Sequence, residues 1–223
     1  MNLRLDWCSH EAVRYANKHW HYSDSLPSGK LIKIGVWEGG EFIGVIIYSD
    51  GASPNLLKPY KLSRFEGCEL SRIALKEHKT EVSKMISISL KMLKGKCPKL
   101  KLVISFADQN QNHHGGIYQS ANWIFAGNGK SSLQWFYNGR WIHQRSMGAI
   151  MPIRMCENIK TRKIKDKYKY LYPLDKKTRK QIELLSKPYP KKNCDSGVNR
   201  STPSFQDGGS GAVPTESLHL NYA

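Results

Sequence analysis

Residues 102–127 read LVISFADQNQNHHGGIYQSANWIFAG. The opening LVISF is a short β-branched and aromatic run, the pattern of a buried strand. Asp108 follows at its carboxyl end, where open α/β sheets place their ligands. The polar segment 109–116 cannot be a core element, and Gly115 and Gly116 permit a positive φ or the close approach of another molecule to the backbone. The chain then enters a short helix carrying Tyr118, ten residues beyond Asp108. Strand, loop and helix can therefore fold the phenol back towards the carboxylate. Each residue also has an ordinary reading, Asp108 as a loop cap and Tyr118 as a half-buried helix residue.

Working outward, residues 2–7 alternate Leu3 and Leu5 with polar neighbours and read as an opening strand. Ser9 is placed to cap a helix over 11–20, with Ala12, Tyr15, Ala16 and His19 at helical spacing. His21 and Tyr22 leave that helix. Residues 31–38 and 42–48 are apolar runs joined by Gly39 and Gly40, a hairpin signal. The next strand spans 66–75, where period-two spacing predicts Cys68, Leu70 and Arg72 on one face. Thr80 is positioned to cap a helix running to about residue 94, with Val82, Met85, Ile86, Leu90 and Leu93 as its apolar stripe. Beyond the opening stretch, 132–137 and 140–144 flank Asn138-Gly139, a second hairpin. Trp123, Trp135 and Trp141 are most simply core or hairpin residues, with base stacking the rarer reading. The order predicts an α/β fold with a mixed central sheet flanked by helices.

The 223 residues allow one domain of about 150 residues with a real core, plus extra segments. A net charge of +17 and a pI near 9.7 favour a polyanionic partner, since each cation near a phosphate releases counterions. Residues 160–192 hold 13 Lys or Arg against three acids, interleaved with Tyr168, Tyr170, Tyr172 and Tyr189. That mixture suits phosphate neutralisation and base stacking. The predicted organisation is a catalytic domain over 1–150, a basic C-terminal extension over 151–192, and a disordered Ser/Gly/Pro-rich tail over 193–223. Five cysteines, odd in number and without a CxxC pair, speak against a disulfide framework or a cysteine zinc site. No apolar run reaches the roughly 18 residues a membrane span needs, so the expectation is a cytoplasmic protein without a membrane partner.

The element order is similar to that of the GNAT acyltransferases, which bind acyl-CoA where two central strands splay apart. The phosphate-binding Q/R-x-x-G-x-G/A of that family has no counterpart in RIALKEHKTEVSK at 72–84. The chain more closely resembles the bacteriophage Mom DNA-modification proteins, a divergent GNAT-like family. Four pieces carry the resemblance in family order: HYS at 21–23, ELSRIAL at 69–75, TEVSKMIS at 80–87, and SFAD with HHGGIYQSANWIFAG at 105–127. Phe106 stands where that family more often has tyrosine.

The resemblance implies conversion of adenine in double-stranded DNA to an N6-methylcarbamoyl, acyl-type derivative with acetyl-CoA or a related acyl-CoA as donor. It further implies protection of phage DNA from restriction, and a phage- or prophage-encoded protein in the bacterial host cytoplasm. Asp108 acts on the exocyclic amine, Tyr118 is an acid for the leaving thiolate, and His21 and Tyr22 are site residues. His21 and Asp108 could also hold iron or zinc, with His113 or His114. Arg72 pairs with Glu69 or meets a phosphate of CoA or DNA. Ser83 and Lys84 either sit at a pyrophosphate site on a helix N-terminus or lie on a solvated face. His113, His114, Lys163, Lys165 and Lys167 are the expected substrate and DNA contacts. Two rivals remain open, an ordinary GNAT acting on a protein or small-molecule amine and a non-catalytic DNA-binding protein.

Overall fold

A computed structural model of the protein describes residues 2–23, 25–129, 133–151 and 158–191. The expected disordered tail, 193–223, and residues 152–157 and 192 of the expected extension lie outside the described residues. Strand β1 (Leu3–Trp7) leads through α1 (His10–Trp20) into the meander β2 (Leu31–Glu38), β3 (Glu41–Ser49) and β4 (Gly67–Leu75). Helix α2 (Val82–Lys96) crosses to β5 (Leu102–Asp108), and α3 (Gly116–Ser120) leads to β6 (Ile124–Asn128). The hairpin β7 (Leu133–Tyr137) and β8 (Arg140–His143) is followed by α4 (Gln144–Ile150), β9 (Thr161–Lys163), β10 (Lys167–Pro173) and α5 (Lys176–Glu183). Seven strands form one mixed sheet in the order β1-β2-β3-β4-β5-β10-β6, parallel only between β4 and β5. A separate three-stranded sheet has the order β8-β7-β9.

The helices cover both faces of the main sheet because each carries one apolar stripe. In α1, Ser9 Oγ accepts the Ala12 N–H at 3.1 Å as the sequence predicts. Val13 and Ala16 pack on Val45, Ile47 and Ala74. Met85, Ile86, Leu90 and Leu93 of α2 pack on the opposite face, against Ile46, Tyr48, Leu70 and Val103. Thr80 is not the cap of α2. Glu81 is the capping residue, without a side-chain hydrogen bond, while the Thr80 N–H and hydroxyl both reach the Glu38 carboxylate at the end of β2.

Two features depart from the sequence expectation. Tyr48 pairs with Leu70 but Ile47 pairs with Arg72, so Ser71 is an extra residue in β4, a bulge. Cross-strand partners share a face, and Ile47 belongs to the α1 side while Tyr48 belongs to the α2 side. Arg72 therefore stands on the α1 side, opposite Cys68 and Leu70, because the bulge reverses the parity on which the period-two reading relied.

The second departure is the segment expected as an extension beyond residue 150. Its β10 lies inside the main sheet between β5 and β6, and residues 1–191 make one unit. The Lys-Tyr alternation is a strand whose Tyr170 is buried in the α2-side core and whose Leu171 is buried on the other side, against Ile182 of α5. Aromatic residues between lysines mark burial here, not a solvated stacking run.

Candidate active site

β4 and β5 pair from Gly67↔Leu102 to Leu70↔Ser105, where their pairing ends. Beyond that point β4 pairs with β3, and β5 with β10 as far as Lys167↔Asp108. The two strands thus follow different neighbours, and a wedge opens between them. It holds a cavity of about 510 Å³ lined by Arg72 of β4, Asp108 of β5, His21 and Tyr22 beyond α1, and Tyr118 of α3. Pairing on one side leaves the main-chain groups of residues 71–75 facing the wedge without a strand neighbour, an edge to which an extended ligand can bond.

Tyr118 is brought here by the turn before it. Gly115 has φ +84°, and a Cβ at that position would lie 2.3 Å from the Tyr170 ring, so only glycine fits. Tyr170 Oη donates to the His114 carbonyl at 2.6 Å, holding the same turn from β10. Tyr118 is 8% exposed, and burial pushes its phenol up to about 12. It is a protonated phenol at neutral pH. Ser105 Oγ lies 2.8 Å from both Tyr118 Oη and the Leu70 carbonyl oxygen. A serine has one hydroxyl proton. When Ser105 gives it to Tyr118 Oη, the phenolic proton is free for the cavity; when it gives it to Leu70, Tyr118 donates back to Ser105.

Asp108 faces the cavity from the end of β5 with its carboxylate held by neighbours. Oδ1 accepts from the Asn110 N–H at 2.9 Å and from Asn110 Nδ2 at 2.8 Å, and Oδ2 lies 3.0 Å from Lys167 Nζ. Burial alone would raise this acid, but the Asn110 and Lys167 contacts outweigh it and hold it below its ordinary value. The loop after it is tied to the start of β10, with Gln109 Nε2 donating to the Asp166 carbonyl at 2.5 Å. Lys167, expected to meet DNA, is thus an ion-pair partner of Asp108.

His21 accepts the Ser23 N–H on Nδ1 at 3.0 Å, so the neutral ring carries its proton on Nε2. Burial, then the Arg72 cation, pulls it down to about 4. Asn17, buried in α1, fixes the same turn by donating to the Ser23 carbonyl at 2.8 Å. Tyr22 stacks on His21 at 4.3 Å and meets His113 edge-on at 6.1 Å. Arg72 Nη1 donates to the Ser71 carbonyl at 2.8 Å, while its Nε is buried without a partner among the described residues.

The cavity also collects His113, His114 and Ser83, whereas Lys84 lines an adjoining hollow with Lys79 and Ser120. Lys163 and Lys165 lie apart, in a shallow hollow beside Gln109 and Asn128. Among the described residues no group of three or more His, Cys, Asp or Glu side chains is placed to hold a metal ion. Of the two residues expected to hold iron or zinc, Asp108 is bonded by Asn110 and Lys167, and His21 accepts from Ser23 on Nδ1, which leaves Nε2 as its open ring nitrogen. The sequence reading missed Ser105, Asn110 and Tyr170. A hydroxyl inside the apolar run LVISF is the one local sign of Ser105.

The Mom protein family model matches residues 2–191. The protein called methylcarbamoylase mom, of Escherichia phage Mu, is 29% identical over 206 residues, covering 85% of this chain and 84% of that protein. Among solved structures, an aminoglycoside acetyltransferase in complex with coenzyme A and kanamycin is 8% identical with a TM-score of 0.49, covering 82% of this chain and 99% of its own. The ribosomal-protein-S5-alanine acetyltransferase from Vibrio fischeri is 11% identical with a TM-score of 0.47, covering 79% and 95%.

Proposed function

This chain belongs to the Mom protein family, and we propose that it is a DNA-modifying enzyme that joins an acyl-type, methylcarbamoyl-class group to N6 of adenine using an acyl-CoA donor. The observation that carries the reading is Asp108 and Tyr118, an ionised carboxylate and a protonated phenol, lining one cavity where β4 and β5 part.

The residues present fit an acyl-CoA. The open edge of β4 offers backbone partners to the amides of the pantetheine arm. The first amides of α2, with Ser83, Lys79 and Lys84 around them, face a pyrophosphate without need of a glycine loop. A bound acyl-CoA supplies an activated carbonyl and a thiolate leaving group.

Adenine N6 is a weak nucleophile because its lone pair is delocalised into the ring, and in a duplex it is paired and stacked. The base leaves the stack to enter the cavity. Asp108 accepts a hydrogen bond from the amine and orients it. Once N6 has bonded to the carbonyl carbon its remaining protons are strongly acidic, so even a carboxylate held below its ordinary range takes one. As the carbon–sulfur bond breaks, Tyr118 gives its proton to the thiolate, and Ser105 turns its own proton to the phenolate oxygen. Neutral His21, with its proton on Nε2, and Tyr22 line the adenine side; His113 and His114 lie at the substrate. Arg72, which lines the cavity, answers a phosphate. Lys163 and Lys165 meet the DNA backbone.

Nucleoside mass spectrometry on DNA from cells expressing this protein, beside an Asp108→Ala control, tests the reading. The expected result is a heavier deoxyadenosine that is lost in the control. A methylcarbamoyl group carries a nitrogen that a simple acyl group from the donor lacks, so the added mass distinguishes the two products. Unmodified deoxyadenosine with folded, well-expressed protein would overturn the proposal.

A further inference from the structure

The small sheet β8-β7-β9 has two unlike faces. On the inner one, Trp135 and Ile142 pack on Met147 of α4. On the outer one, Phe136 pairs with Trp141 across the strands and Gln134 with Arg162. Phe136 is 43% exposed. Its ring meets Trp141 edge-on at 5.3 Å, and the Arg162 guanidinium lies 4.3 Å above the Trp141 ring, its Nε donating to Gln134 at 2.8 Å. Arg162 is thereby held over the Trp141 ring. Residues 133–151 and 158–163 contain five Lys or Arg and no acid.

The segment that carries this face leaves and rejoins the main sheet near the cavity. The chain leaves the main sheet after Asn128, which pairs with Tyr168, and returns at Lys167, which pairs with Asp108. The Gly129 N–H donates to the Lys167 carbonyl at 2.7 Å, closing the exit against the return. Both ends of the excursion are therefore held at the level of Asp108.

An exposed Phe136 beside a half-buried Trp141 with a cation over it, on a surface whose described residues include no acid, fits unstacked bases on a phosphate backbone. A target adenine drawn from a duplex leaves such bases behind it. We propose that the outer face of β7, β8 and β9 is the platform that holds the opened DNA beside the target adenine, with Phe136 stacking on a base and Arg162, held over Trp141, meeting a phosphate. This rests on the DNA-modifying reading above and adds the surface that grips the substrate.

The test is fluorescence anisotropy of the full chain with a labelled duplex carrying one adenine opposite an abasic site, titrated at several salt concentrations. Phe136→Ala is expected to weaken binding about tenfold, since a base–aromatic stack is worth on that order, and Phe136→Tyr to bind like the wild type. Arg162→Gln is expected to lower the slope of log affinity against log salt by about one. Wild-type affinity in Phe136→Ala, or equal weakening in Phe136→Tyr, overturns the platform while leaving the enzyme reading standing. A wild-type chain that binds no duplex overturns both. Loss of self-association in Phe136→Ala with DNA binding intact would assign the face to a protein partner and overturn the proposal.

Discussion

Below Leu70 the strands β4 and β5 are hydrogen-bonded to each other, and Cys68, Val103, Leu102 and Ile104 fill the layers on either side. Above it the same two strands have parted, and the space between them holds a carboxylate, a phenol, an imidazole and a guanidinium. The lower half is apolar and buried; the upper half gathers polar groups at a depth where each needs a partner. The difference comes from the neighbours. β4 stays with β3 through the Ser71 bulge, and β5 stays with β10 up to Asp108. A bulge on one strand and an inserted partner on the other make a site from two strands that would otherwise be more core.

Substitutions in the two halves should separate activity from stability. Tyr118→Phe in the upper half should lower the yield of modified deoxyadenosine by about 100-fold or more, the scale of a lost general acid. Its thermal unfolding should shift only by the loss of the bond to Ser105, about 1 kcal/mol. A variant that keeps full activity would remove Tyr118 from the chemistry and leave it as packing. Ile104→Ala in the lower half should do the reverse. Ile104 is fully buried, and its truncation should cost about 2–5 kcal/mol in denaturant unfolding. A loss well under 1 kcal/mol there would mean that the paired half is not the tighter one.

A pH dependence is also expected from the upper half. His21 is held at about 4 in the folded protein against an ordinary value of 6.5. Between those values the unfolded chain takes up a proton that the folded one refuses, so stability is full above 6.5 and declines as the pH falls towards 4. Urea midpoints measured at pH 7 and pH 5 should therefore differ less in His21→Gln than in the wild type. An equal difference in both would show that His21 is not the group responsible.

Much of this architecture can be read from local pattern. Ser9 before an amphipathic run marks α1, Gly39-Gly40 and Asn138-Gly139 mark the two hairpins, and residues 102–127 show strand, loop and helix in order. The same stretch brings Asp108 and Tyr118 to one cavity, as expected from ten residues of separation. Arg72 was harder. Its face follows from period two only while the register is unbroken, and nothing in ELSRIAL marks Ser71 as the bulged residue. Residues 160–192 misled for a different reason. Lysines between tyrosines have the same composition whether the tyrosines stack on bases or pack in a core, and the outcome depends on whether a strand position lies open between β5 and β6.

Charge, the element types, the capping serine and the order of the motifs are properties of neighbouring residues, and they survive in the fold because 3.6- and 2-residue periods act over a few positions. The wedge between β4 and β5, the Ser105–Tyr118 contact, the tie of Asp108 to Lys167 and the outer Phe136–Trp141 face join residues far apart in the chain or depend on which strands pair. Those are fixed only when the sheet assembles, because burial and strand pairing are decided by long-range partners that no local spacing records.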